Sequence, residues 1–182
     1  MRGKLALAAI LALGLGLSLR PARAEDRPLK LGVMDITKVN EDSKIMRSLA
    51  KQRDKAMEDL KSEAEKKEKD FNKKVQDFQQ KRLVMDKDAS AREEMQLRRE
   101  MMQTEQELQK KGEAIEKAFM TAVRKVQHDY LDGIMKNVGK KRGYDMIISS
   151  QAAALINDDL DVTKEIVGAL NDKITDMKLD IK

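Results

Sequence analysis

From about Ser43 to Arg142 the apolar residues are sparse but regularly spaced. Met46, Leu49, Met57, Leu60, Ala64, Phe71, Val75 and Phe78 recur at steps of three, four or their sums. A second series runs Met95, Met102, Leu108, Ile115, Phe119, Val123, Val126, Tyr130, Ile134, Val138. A narrow stripe sustained over so many turns is a coiled-coil seam, not the broad face of a globular core helix. The stretch holds no proline and three glycines, Gly112, Gly133 and Gly139, and is filled with Lys, Arg, Asp, Glu, Gln and Met, mostly strong helix formers. A short polar run, Asp86–Ser90, separates the two series, and Ser90 is followed three residues later by Glu93, a capping box. The spacing predicts two long antiparallel helices joined at about residues 86–90, each roughly 65–70 Å long. One continuous rod is the alternative.

The flanks have other periods. Leu29–Asp35 alternates and then turns continuously apolar, which predicts a strand, and Ile36–Asp42 leads into the first long helix. Lys140-Lys141-Arg142 followed by Gly143 is a helix stop. Tyr144–Ser149 is a second predicted strand, and Ala153–Ile156 a third, paired to it as a hairpin. Asp161 is expected to cap a final amphipathic helix through Ile166, Val167, Leu170 and Ile174, and residues 177–182 to fray. Three short strands and one helix make a very small core, and the seam nearly vanishes around 61–69 and 103–112. With no cysteine available for a disulfide, oligomerisation is the remaining route to stability. Leu31, Val33, Ile147, Ile148 and Leu155 are the expected hub residues of such an assembly. The fold class is α+β, mostly α: a long antiparallel helical hairpin on a small β hub completed by association of chains.

Residues 1–24 read as an export signal: Arg2 and Lys4, an apolar run from Leu5 to Leu19, then Ala22-Arg23-Ala24. Removing it changes the charge. The whole chain is +5, but four basic residues and no acids lie in the signal, so the rest carries 33 basic and 32 acidic side chains. Residues 25–42 are net −2, residues 43–142 are net +7 (26 basic, 19 acidic), and residues 143–182 are net −4. The organisation is therefore a signal (1–24), a basic helical hairpin arm (43–142), and an acidic hub made of 25–42 and 143–182.

Candidate chemistry is thin. His128 is the sole histidine and has no cysteine to join it on a metal. Asn157, Asp159 and Asp161 are spaced like the first ligands of a calcium loop, but Val162 and Gly168 stand where the loop needs Gly and Glu. Gly139–Gly143 lacks phosphate-loop spacing. No catalytic residue, metal or cofactor is predicted, and the chain reads as a non-enzyme. Eight of the twelve methionines lie in the arm. They either fill a loose seam or serve as adaptable apolar contacts, and Met85, Met95, Met101 and Met102 near the tip are the candidates for contact with a binding partner. Gly112 is a candidate hinge, since a glycine within a helix costs about 1 kcal/mol relative to alanine.

Lys30-Leu-Gly-Val-Met-Asp-Ile-Thr-Lys-Val, Gly143-Tyr-Asp-Met-Ile-Ile-Ser and Asp161-Val-Thr-Lys-Glu-Ile-Val-Gly-Ala-Leu-Asn, set around a long charged helical region, resemble the Skp/OmpH family of periplasmic chaperones. The resemblance covers nearly all of the chain after the signal. It implies a homotrimer with a β-barrel body and three helical arms around a cavity, which holds unfolded outer-membrane β-barrel proteins in the periplasm without ATP. Some members of that family carry a basic lipopolysaccharide-binding cluster on the second arm. Leu108, Ala118 and Phe119 stand near those places, so the cluster is not carried over, and an anionic lipid or lipopolysaccharide surface is a partner only through the general basic charge of the arms. Lys164 stands where related sequences often have an acid. A passive coiled-coil spacer is the alternative function; it calls for a more continuous seam. A nucleic-acid-binding role fits poorly with an export signal, near-neutral charge and two tyrosines and three phenylalanines.

Cleavage after Ala24 should leave Glu25 as the first residue. Intact-mass measurement of periplasmic protein checks this; a full-length membrane-bound species would contradict it.

Overall fold

The computed structural model describes residues 27–182; the expected export signal lies outside them. Strand β1 (Leu31–Met34) leads into helix α1 (Ile36–Asp42). The Asp35 carboxylate caps α1 by accepting from the N–H groups of Thr37 at 2.9 Å and Lys38 at 3.2 Å. Extended Ser43 separates α1 from the next helix, so Ile36–Asp42 is a helix of its own and not the run-in of the long one.

Helix α2 (Lys44–Arg82) has 39 residues and α3 (Lys87–Val126) has 40, so each is about 60 Å long. They form the expected hairpin. The turn, however, comes earlier than the Ser90 capping box suggested. Asp86 is the N-cap, its carboxylate accepting from Ala89 N–H at 2.8 Å, and Ser90 lies inside α3. Asp caps as well as Ser, and Asp88 in the first turn complements the helix dipole, so the earlier start prevails.

A π-turn, Gln127–Leu131, joins α3 to α4 (Asp132–Arg142). The wider turn absorbs one extra residue. In consequence Leu131, at 3% exposure, takes the inward place that the unbroken spacing assigned to Tyr130. Gly143 then ends α4 with φ 69°, in the left-handed region that favours glycine.

Strand β2 (Met146–Ser149) pairs with β1 in parallel, in the register Leu31↔Met146 through Met34↔Ser149. The helical hairpin is thus one long crossover between two adjacent parallel strands. Gly32 is required there, because a Cβ would come within 2.9 Å of the Tyr144 ring. The other edge of β1 is met by Val162, whose N–H donates to Val33 O at 2.9 Å.

The third strand is not formed. Ser150–Ala152 and Asp158–Leu160 are short 3-10 turns, and Ala153–Ile156 pairs with no strand among the described residues. The connection Ser150-Gln151-Ala152 lacks the Gly or Asn that a tight hairpin turn needs. Asp161 is not itself the N-cap of α5 (Thr163–Lys173): Val162 stands there without a side-chain cap, and Asp161, one residue before it, accepts from Thr163 N–H at 2.8 Å. Residues 177–182 do not simply fray: Met177 and Leu179 pack against the core.

That core sits at the root of the arm. Val39, Ile45 and Leu49 meet Val126, Leu131 and Ile134, with Ile166 and Leu170 of α5 closing over them. Helical residues dominate it, so the single chain has more core than a count of strands suggested. Ile166→Ala should destabilise the chain by about 2–5 kcal/mol, read as a shift in the urea midpoint. An unchanged midpoint would show that Ile166 is not part of a packed core.

Candidate binding surface on the helical arm

Beyond its root the arm is held thinly. Phe78 near the tip and Ile115 at mid-length are its buried apolar residues, and Leu60, Ala64, Phe71, Val75, Leu97 and Leu108 are half-buried. Arg53 lies over the Phe119 ring at 4.7 Å, where a guanidinium is attracted to the ring face. Where the apolar seam thins, ion pairs take over. Lys111 Nζ reaches Glu63 Oε1 at 2.7 Å and Glu107 at 3.2 Å, and Lys67 Nζ reaches Glu107 at 2.7 Å and Glu63 at 3.4 Å. Lys74 pairs with Glu100 farther out. The four central charges cross-link the two helices in a closed ring.

The lysines of this ring hold both carboxyls below the ordinary carboxylate range, chiefly by hydrogen bonding: Lys111 acts on Glu63, and Lys67 on Glu107. Reciprocally, Glu107 raises Lys67 and Glu63 raises Lys111. At the root, Glu165 of α5 is lowered by Arg142 and Lys141 at the end of α4, at 2.8 and 3.1 Å. That ties α5 to the returning limb.

Three of the four tip methionines are exposed: Met95 by 56%, Met101 by 43% and Met102 by 56%; Met85 is half-buried. Met95 and Met102 were expected in the seam, and the structure removes them from it. Leu97, Thr104 and Leu108 hold the inward phase, and a residue two places before Leu97 points about 200° away from it. Leu83 and Val84 in the turn are exposed by 87% and 88%. They fall outside the seam spacing because they follow the last turn of α2; two adjacent large apolar residues beside a polar break are their sequence signal. Gly112, the candidate hinge, faces Leu60 of α2: a Cβ there would lie 3.7 Å from Leu60 Cδ2.

Among the residues expected in a hub, Val33 is buried within the chain itself, Leu31, Ile147 and Ile148 are half-buried, and Leu155 is 92% exposed. β2 has no second neighbour among the described residues. The grooves on the arm are shallow and open. One, at mid-arm, is lined by Ala64, Phe71, Met101 and Leu108 with charged residues around them. Such a surface can offer adaptable apolar contact rimmed by charge; it holds no preformed cluster of metal-ligating side chains among the described residues.

A family model described as "Outer membrane protein (OmpH-like)" matches residues 30–170. A solved structure described as a candidate outer membrane chaperone (OmpH-like) from Caulobacter crescentus CB15 has the same fold, with a TM-score of 0.78 at 14% identity, covering 86% of this chain and 92% of that one. No curated protein matches significantly.

The ion-pair ring sets a pH window. Carboxylates lowered by folding stabilise above their ordinary value of 4.5, and that contribution is lost as pH falls through their lowered folded values. The raised lysines stabilise below 10.5, and theirs is lost as pH rises through their raised values. Protection from hydrogen exchange around residues 107–111 should therefore be flat near neutrality and drop in acid, and Glu63→Gln should lower it at neutral pH. These are exposed pairs screened by water, so the change should be local to the arm. Equal protection in acid and at neutrality would count against the ring.

Proposed function

The chain belongs to the OmpH-like family, and from that premise we propose that it is a periplasmic, ATP-independent holdase chaperone for unfolded outer-membrane β-barrel proteins. The observation that carries the reading is the set of exposed methionines on an arm with a +7 excess. Thioethers adapt to irregular apolar partners. An unfolded barrel protein exposes apolar residues in alternation and is prone to aggregate. Binding through Met95, Met101 and Met102, with the half-buried Met85 at the tip, needs no sequence specificity and no nucleotide.

The working form in this reading is a homotrimer. The side of β2 without a partner among the described residues, the exposed Met146 and the 92% exposed Leu155 favour joining of hubs, and such a joint would cover a strand edge that otherwise invites aggregation. Three arms would place 3 × 7, or +21, around one cavity. Like charge holds the arms apart and draws in acidic chains. An anionic lipid or lipopolysaccharide surface is a weaker partner for the same charge. Gly112 serves as the place where the arm gives, and Gly112→Ala should stiffen it, since the space beside Leu60 accepts a methyl group.

Stopped-flow capture of a urea-diluted barrel protein, alongside a turbidity assay, tests this. Capture should slow with added salt while the formed complex is less affected, and Met101→Asp with Met102→Asp should weaken holding without changing the oligomer mass. Failure to suppress aggregation at any ionic strength would remove the chaperone reading; salt-independent capture would remove its electrostatic part.

A further inference from the structure

Residues 174–182 run outward along the α2–α3 hairpin from its root to the level of Leu60 and Ile115. They lie beyond the stretch matched to the family. Their side chains alternate: Met177 and Leu179 are half-buried against the core, while Lys178 and Asp180 are exposed. The hold on them is directed at the backbone. Gln52 Nε2 donates to Met177 O at 2.8 Å, and Gln52 Oε1 accepts from Leu179 N–H at 3.0 Å. One side-chain amide thus satisfies the acceptor and donor that an extended strand offers at positions i and i+2 on one side, as a neighbouring strand would. Ser48 bonds Asp176 just before this clamp. Farther out, Ile181 is 43% exposed beside Ala56, Leu60, Ala114 and Ile115.

A backbone clamp with apolar footholds at every second residue recognises a pattern and not a sequence. Transmembrane β-strands carry that same alternation. Resting on the chaperone reading above, we propose that the groove beside Gln52 is a receptor for extended polypeptide with alternating apolar side chains, and that residues 174–182 are its resident occupant, displaced when a client strand enters. The resident keeps the groove from collecting stray chains and lowers its apparent affinity by the fraction of time it is seated.

The test uses the full chain and two fluorescent peptides of equal composition, one alternating Leu with Thr or Lys and one with the same residues in blocks, followed by anisotropy. Leu179→Pro removes both the N–H that Gln52 accepts and the apolar foothold; it should bind the alternating peptide about tenfold more tightly than the unchanged chain, as expected if the resident is seated about nine-tenths of the time. Gln52→Ala also frees the resident but removes the clamp, so it should show no gain. The block peptide should gain nothing in either. In the unchanged chain, saturating alternating peptide should speed hydrogen exchange at Leu179. No gain in Leu179→Pro, an equal gain in Gln52→Ala, or unchanged exchange at Leu179 under bound peptide overturns the inference. If the unchanged chain still suppresses aggregation in that case, the chaperone reading stands alone. If it never does so while the peptide results hold, the groove stands and the chaperone reading falls.

Discussion

Two four-residue strands that run the same way side by side impose the main constraint on this molecule. A parallel pair cannot be closed by a tight turn, so the chain must leave the sheet and come back. Here it leaves through Ser43 and returns through Gly143. The excursion runs out through α1 and α2 and back through α3, the π-turn and α4, and the antiparallel limbs bring the chain back beside β1. Once it is there, α5 packs Ile166 and Leu170 across both limbs, and Glu165 engages Arg142 and Lys141. The sheet, the arm roots and α5 are packed into one block.

Because that block closes the structure, the arm need not be strong along its length. Burying one Leu or Ile side chain fully stabilises by about 1.5–3 kcal/mol, whereas an exposed ion pair contributes about 0–1 kcal/mol. The root holds most of the buried residues and the outer arm holds mostly ion pairs. Stability is therefore graded from root to tip. The same gradient leaves Met95, Met101, Met102, Leu83 and Val84 free. An arm with a full coiled-coil seam would be stiffer, and its outward faces would carry fewer apolar residues free for other contacts.

The sequence made the hairpin legible because the helical period extends over some forty residues per limb and breakers are nearly absent. The strands at 31–34 and 146–149 and the glycine stop at 143 rest on short but strong local patterns. Four features were hidden for separate reasons. The π-turn shifts phase by one residue, and a period count smooths over it, so Tyr130 was favoured above Leu131. Met95 and Met102 fit steps of three and four as apolar residues do, although Leu97 and Leu108 hold the partner's phase. Ala153–Ile156 has strand-like composition, but pairing depends on a turn that its neighbours cannot make. Residues 177–182 look like a polar terminus, and only the tertiary position of Gln52 reveals what holds them. Of the candidate contact residues, exposure could be judged only after the seam's true phase was known.

The turn at Leu83–Asp86 has a kinetic consequence. Pairing β1 with β2 across more than a hundred intervening residues would, in a featureless chain, require an improbable closure. Helices α2 and α3 can form locally and zip together from their shared tip, each step closing only a short loop. When the zipper reaches the root, only α1 on the outgoing limb and α4 on the returning one still separate the paired helices from the strands. Asp86, far from every strand, caps the helix that such a zipper would start from: a chain whose tip is slow to turn would leave β1 waiting with both edges bare.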